Sequence, residues 1–217
     1  MANVFSPSSN KLPRRIVIGL VLFVILFSAG MTYYATPKYS RVGYQPKQPV
    51  AFDHSLHVDQ LGMDCRYCHS SVEQSEHSLV PDAATCLNCH NQIQSDSPAL
   101  APIRQSAATG EPVPWVRVHK TPDYVYFNHA VHVNRGISCV ECHGDIHKMP
   151  EVYHSEPFSM GFCLECHREP DDEIRPLDKV YDLDWEPEQK QSELPKEERF
   201  VHQWDISPPQ SCSACHR

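Results

Sequence analysis

Apolar positions are spread very unevenly along this 217-residue chain. One uninterrupted block stands near the start, Ile16 to Ala35, IVIGLVLFVILFSAGMTYYA, twenty residues without a charge. A helix of that length crosses the hydrocarbon layer of a bilayer. Nothing comparable follows. Beyond residue 35, apolar side chains come in twos and threes between charges and prolines, as in Phe52-Asp-His54-Ser-Leu-His57-Val and Phe127-Asn-His129-Ala-Val-His132-Val. Both stretches place two histidines three residues apart, on one face of a short helix. Nineteen prolines against eight glycines predict short helices and extended straps rather than a continuous sheet.

Residues 1–15 are polar and basic, with Lys11, Arg14 and Arg15 and no acid, and Tyr33 and Tyr34 sit where an interfacial aromatic belt belongs. This predicts a transmembrane anchor over 16–35 in the cytoplasmic (inner) membrane. The N-terminal tail then lies in the cytoplasm and everything after residue 36 on the periplasmic side. A cleaved signal peptide is the competing reading, with Ser28, Ala29 and Gly30 as small residues for a peptidase, but its apolar region is normally shorter, about 7–15 residues. Residues 36–51, with Pro37, Pro46 and Pro49, read as an extended connector.

The ten cysteines change the picture. All lie in a C-x-x-C-H: Cys65/Cys68/His69, Cys86/Cys89/His90, Cys139/Cys142/His143, Cys163/Cys166/His167 and Cys212/Cys215/His216. That pattern is the attachment site of a c-type haem, in which two thiols bond the porphyrin and the adjacent imidazole is the proximal ligand of the iron. Disulfides would not need a histidine after every second cysteine, and structural zinc does not favour this spacing five times over. The residues after the anchor number 182, about 36 for each of five sites, too few for a conventional core around each. The predicted architecture is therefore mostly irregular, with short α-helices packed around five covalent c-type haems, plus one N-terminal transmembrane helix. Net charge is −8, which argues against a nucleic-acid partner.

Phe52 aligns with Phe127 at an offset of 75 and Cys86 with Cys163 at 77, an internal repeat. It divides the chain into a tail (1–15), an anchor (16–35), a connector (36–51), a first two-haem module with its linker (52–126), a second (127–169), and an acidic strap with the fifth haem (170–217). Nine histidines lie outside the motifs, enough for a second imidazole on every iron. In each F-x-H-x-x-H-V frame the first histidine, His54 or His129, is expected to ligate the next haem. The second, His57 or His132, is expected to reach the one after it. His119 is expected to serve the fifth haem, with His202 as its competitor. His77, His147 and His154 are expected at the surface or hydrogen-bonded to propionates. Met149 is an alternative axial ligand in the second module, as is Met160, since a thioether raises haem potential; either is otherwise a core filler. Six-coordinate irons have no open position, so no catalytic residue is expected and a nitrite-reductase-type enzyme is disfavoured.

The strap 170–200 carries eleven acids against five bases and reads as a solvated linker, or, from Val180, Tyr181, Leu183 and Trp185, as a packed strap.

The F-x-H-x-x-H and C-x-x-C-H modules resemble small multihaem cytochromes of the c3 and c7 type. Most of the chain, through PWVRVHKTPDYVYFNHAVHV (114–133), PFSMGFCLECHR (157–168) and the ending Cys212-Ser-Ala-Cys215-His216, resembles the pentahaem cytochrome subunit of bacterial alternative complex III. That resemblance implies an electron-transfer subunit of a membrane quinol:electron-acceptor oxidoreductase. Its partners would be an iron–sulfur subunit, polytopic quinol-binding subunits and a monohaem cytochrome c. Electrons would run from quinol toward a periplasmic carrier. A stand-alone membrane-anchored quinol dehydrogenase feeding a periplasmic reductase is the alternative.

Overall fold

The computed structural model describes Ser9, residues 11–35 and residues 41–216. Most of the polar tail (1–8 and 10), the start of the connector (36–40, including Pro37) and Arg217 lie outside the described residues. The chain divides into two units, Met1–Arg41 and Val42–Arg217.

Among its described residues the first unit holds one α-helix, Lys11–Ala35. It begins five residues before the apolar run because Pro13 is tolerated in a first turn, where its missing N–H has no intrahelical partner to lose. The most apolar 18-residue window within Lys11–Tyr34 has a mean hydropathy of 2.4 and none of it is buried. A helix apolar on every face and covered by none of its own chain suits lipid better than water. It is a single candidate membrane anchor.

In the second unit, no strand occurs among the described residues; there are two isolated bridges, Val125 with His216 and Ile137 with Ile174. The helices are short: Cys65–Cys68, Ala83–His90, Ala101–Thr109, His129–Val133, Val140–His143, Met160–Arg168, Phe200–Gln203 and Cys212–Cys215. Side-chain caps set where several begin. Asp64 accepts from Arg66 N, Asp82 from Thr85 N, Asn128 from Val131 N and Ser159 from Phe162 N. Each cap satisfies an otherwise unpaired amide at a helix start, worth about 1 kcal/mol. The first histidine pair lies at a wider π-type turn, Ser55–Gln60, where the second lies on an α-helix.

The apolar core is small. One cluster gathers Val50, Ala83 and Ile103 beneath Leu87 and Trp115, and another gathers Val72, Val133 and Val180. The second joins both halves of the repeat to the strap. Ile174 and Val180 are 2% and 1% exposed, so this part of the strap is packed. Exposed acids around them, Asp172, Asp178, Asp182 and Asp184, dominate the composition of the segment.

The repeat halves interlock. His129 N and Ala130 N donate to the carbonyls of Glu76 and Ser75, just past the first C-x-x-C-H; reciprocally, His54 N and Ser55 N donate to the Met149 carbonyl, just past the third. Each histidine-bearing helix thus starts on a loop of the other half.

Candidate haem sites

Caps at Asp64, Asp82 and Ser159 start the helices that carry the first, second and fourth C-x-x-C-H motifs, so both thiols leave from one short helical stretch. All ten cysteines are free of disulfides. Burial raises the thiol of Cys142 to about 12 and that of Cys166 to about 11.

The histidines carry the clearest signal. Six of them donate Nδ1–H to a backbone carbonyl: His57 to Asp53 at 2.8 Å, His69 to Leu79 at 2.6 Å, His90 to Ile93 at 2.9 Å, His129 to Glu76 at 2.7 Å, His132 to Asn128 at 2.8 Å and His167 to Pro209 at 2.7 Å. A carbonyl can only accept, so each bond fixes the tautomer and leaves the Nε2 lone pair for a metal. Burial also depresses the basicity of His54 to about 4, helped by neighbouring His69, and lowers that of His129, His132 and His143. These rings stay neutral at pH 7, the form that ligates.

The phenylalanine of each repeat orients both rings that follow it. Phe52 stacks on His57 at 4.4 Å and meets His54 edge-on at 4.8 Å; Phe127 stacks on His132 at 4.7 Å and meets His129 edge-on at 4.8 Å.

Three ring pairs face each other at nearly one separation: His57 and His90 at 6.2 Å, His132 and His167 at 6.1 Å, His129 and His143 at 6.4 Å. Two metal–nitrogen bonds of about 2 Å, plus about 1.1 Å from each nitrogen to its ring centre, give roughly 6.2 Å across one iron. His54 lies beside His69. The residues present fit a porphyrin iron with an imidazole on each side. Among the described residues no three His, Cys, Asp or Glu side chains converge as a bare metal ion would require.

Other expected residues stand elsewhere. The His119 ring is 4.3 Å from His143, edge-on, and 5.3 Å from His154. That seats it at the third motif, whereas Tyr124 packs on His216 of the fifth at 5.8 Å. His202 is exposed on the helix Phe200–Gln203. Of the two expectations for His147 and His154, the surface position is corrected: they are 4% and 0% exposed, and the His154 backbone pairs with Gly43 and Tyr44 of the connector. His147 Nε2 is 3.3 Å from Asp184 of the strap. His77 is exposed, beside Glu76. Met149 is 3% exposed and packs near Gly144, directly after the third motif; Met160 is 65% exposed.

Sequence reasoning missed the carbonyls that hold the rings, since a backbone acceptor carries no residue signature. It also missed the carboxyl pair between the third and fourth motifs. Glu173 is raised to about 7 by its hydrogen bond with Glu141 and by burial, and Arg175 reaches Glu141 at 2.7 Å.

No protein-family model matches the chain. Over 100 residues it is 35% identical to the multihaem cytochrome c subunit of a menaquinone reductase from Nitratidesulfovibrio vulgaris, covering 46% of this chain and 47% of the relative. The chain thus spans about half the length of the relative it matches. The similarity supports a multihaem c-type cytochrome with covalently held haems.

Proposed function

We propose that this chain is a membrane-anchored pentahaem c-type cytochrome that relays electrons within a quinol:acceptor oxidoreductase of the alternative complex III type. Ten cysteines would hold the five haems. His69, His90, His143, His167 and His216 would be the proximal ligands, and His54, His57, His129 and His132 the distal ligands of the first four. A bound haem supplies a one-electron iron couple. The chain's own residues fix two imidazoles per iron, exclude a substrate position and set the local charge. The observation that carries the reading is the set of paired rings at 6.1–6.4 Å, with Nδ1 of His57, His90, His132 and His167 locked on carbonyls. The apolar helix would hold the unit at the periplasmic face of the inner membrane. An iron–sulfur subunit, polytopic quinol-binding subunits and a monohaem cytochrome c would be its neighbours, and electrons would run from quinol to a periplasmic carrier.

A second reading reverses the current, from a periplasmic donor into quinone. The relative's description as part of a menaquinone reductase favours it. One preparation tests both. Native membranes are extracted in mild detergent, the haem-staining band is taken from a non-denaturing gel, and its subunits are identified. Polytopic subunits and an iron–sulfur protein in that band support the complex. A lone cytochrome, or one with a single soluble reductase, supports the stand-alone quinol dehydrogenase instead. Haem reduction by added quinol, or quinone reduction by a pre-reduced periplasmic cytochrome, separates the two directions.

A further inference from the structure

Neighbouring motifs in the fold are not always neighbours in the sequence. Motifs one and two touch: Asn88 Nδ2 donates to Tyr67 Oη at 3.0 Å, and Cys68 is within electrostatic reach of Cys86. Motifs one and three also touch. The thiols of Cys65 and Cys139 are close enough to shift one another's basicity, and the ring of His129, which faces His143, is tied to the Glu76 carbonyl just past His69. Tyr181 clasps the same junction, its hydroxyl on Glu73 at 2.9 Å and its ring under Arg66, while Ser138 donates to the adjacent Val180 carbonyl at 2.7 Å. Motifs three and four meet across the helix His129–Val133, whose His129 ring lies 6.4 Å from His143 and whose His132 ring lies 6.1 Å from His167. Motifs four and five meet where His167 Nδ1 binds the Pro209 carbonyl, Gln210 binds the His167 carbonyl, and Cys163 approaches Cys215.

Resting on the five-haem reading above, we infer that the attachment sites run through space in the order second, first, third, fourth, fifth. The first and third form the junction between modules, and the terminal sites are Cys86–His90 and Cys212–His216. Each link passes one electron, oxidising one ferrous iron as the next ferric iron is reduced; a quinol-derived or periplasmic redox partner supplies or takes that electron at a terminal site. The second motif, buried in the middle of the sequence, is an end of the path. The first motif is an interior station.

Adjacent haems shift one another's reduction potentials through their charge, and the effect falls with distance. The test begins by weighing the mature chain for five haems; fewer would overturn the five-haem reading itself. Two variants then remove one site each, Cys86→Ser with Cys89→Ser and Cys65→Ser with Cys68→Ser. Site-resolved potentials are read by NMR during redox titration. The expected result is that losing the second site shifts the first most, while losing the first shifts both the second and the third. If losing the second site instead shifts the first and third alike, and losing the first shifts only the second, the sites follow sequence order and the inference is overturned, with the five-haem reading intact. His54→Met and His57→Met keep all five haems while raising one potential each, and give the same comparison if a four-haem chain fails to fold.

Discussion

Replacing Arg175 with leucine tests how firmly the strap is fixed to the third motif. The guanidinium is 11% exposed and binds Glu141, itself 24% exposed, at 2.7 Å. It also donates to the Asp182 carbonyl at 3.2 Å and lies 5.5 Å from the Trp185 ring centre. A hydrogen bond to a charged group contributes about 1.5–3 kcal/mol and a partly exposed cation–π contact about 0.5–1 kcal/mol. Water recovers part of each, so the loss should be about 2–3 kcal/mol, or about 5–10 °C in Tm for a unit of this size. The variant also leaves Glu141 facing Glu173 without a cation. Their repulsion is relieved when one of them holds a proton, so the loss at pH 5 should be smaller than at pH 8. The assay is thermal unfolding of the haem-loaded protein at both pH values, for Arg175→Leu, Glu141→Gln and the double variant. Because the interaction is shared, the double variant should be more stable than the sum of the single losses allows. A drop below about 0.5 kcal/mol, or strictly additive losses, would refute the reasoning.

Four further outcomes follow from the same contacts. His132→Ala should convert one iron to a high-spin, carbon-monoxide-binding form in the reduced protein, and His202→Ala should leave the spectrum unchanged. Gly136→Ala should cost about 1–3 kcal/mol, because its φ is +87° and a methyl group would sit 2.5 Å from the Arg175 carbonyl. Gly62→Ala, with φ +66° and open space around it, should cost less, as denaturant titration of both variants will show. Glu173 has a raised folded-state pKa, so its stabilising contribution is complete below about pH 4.5 and is lost as pH rises toward 7. Glu173→Gln should therefore flatten the decline of Tm between those values. Replacing residues 1–35 with a cleavable secretion signal should release a haem-loaded protein into the soluble periplasmic fraction, checked by fractionation and haem stain.

Much of the architecture was legible. Among the described residues, short helices without strands and one apolar N-terminal helix agree with the expectation from proline content and the Ile16–Ala35 run, since both depend on local sequence. The repeated phenylalanine two residues before each first histidine was visible, and its contacts with both rings explain that spacing. What remained hidden depends on distant parts of the chain. His147 and His154 are buried because loops far apart in sequence close over them, which their polar neighbours did not announce. Val180 sits among acids that dominate any window average, so the sequence left its strap open between a solvated linker and a packed one, and the packing of its side chain into the junction decides between them. Tyr124 gave no sign that it, rather than His119, would pack on His216. The Met149 and Glu76 carbonyls that anchor the two histidine helices have no side-chain signature at all.

Those reciprocal carbonyl bonds bear on how the molecule is made. A chain delivered from its N-terminus presents Cys65–His69 and Cys86–His90 well before residue 149 arrives to seat the His54 turn, and before Val180 and Tyr181 arrive to close the junction. The first two motifs are therefore complete in sequence while the unit that encloses them is still open. Closure comes late and depends on both halves at once. A chain cut before residue 149 would lack the carbonyl that seats the His54 turn, and one cut before the strap would lack the Val180 and Tyr181 contacts that close the junction, so the early half of the unit is completed only by its later residues.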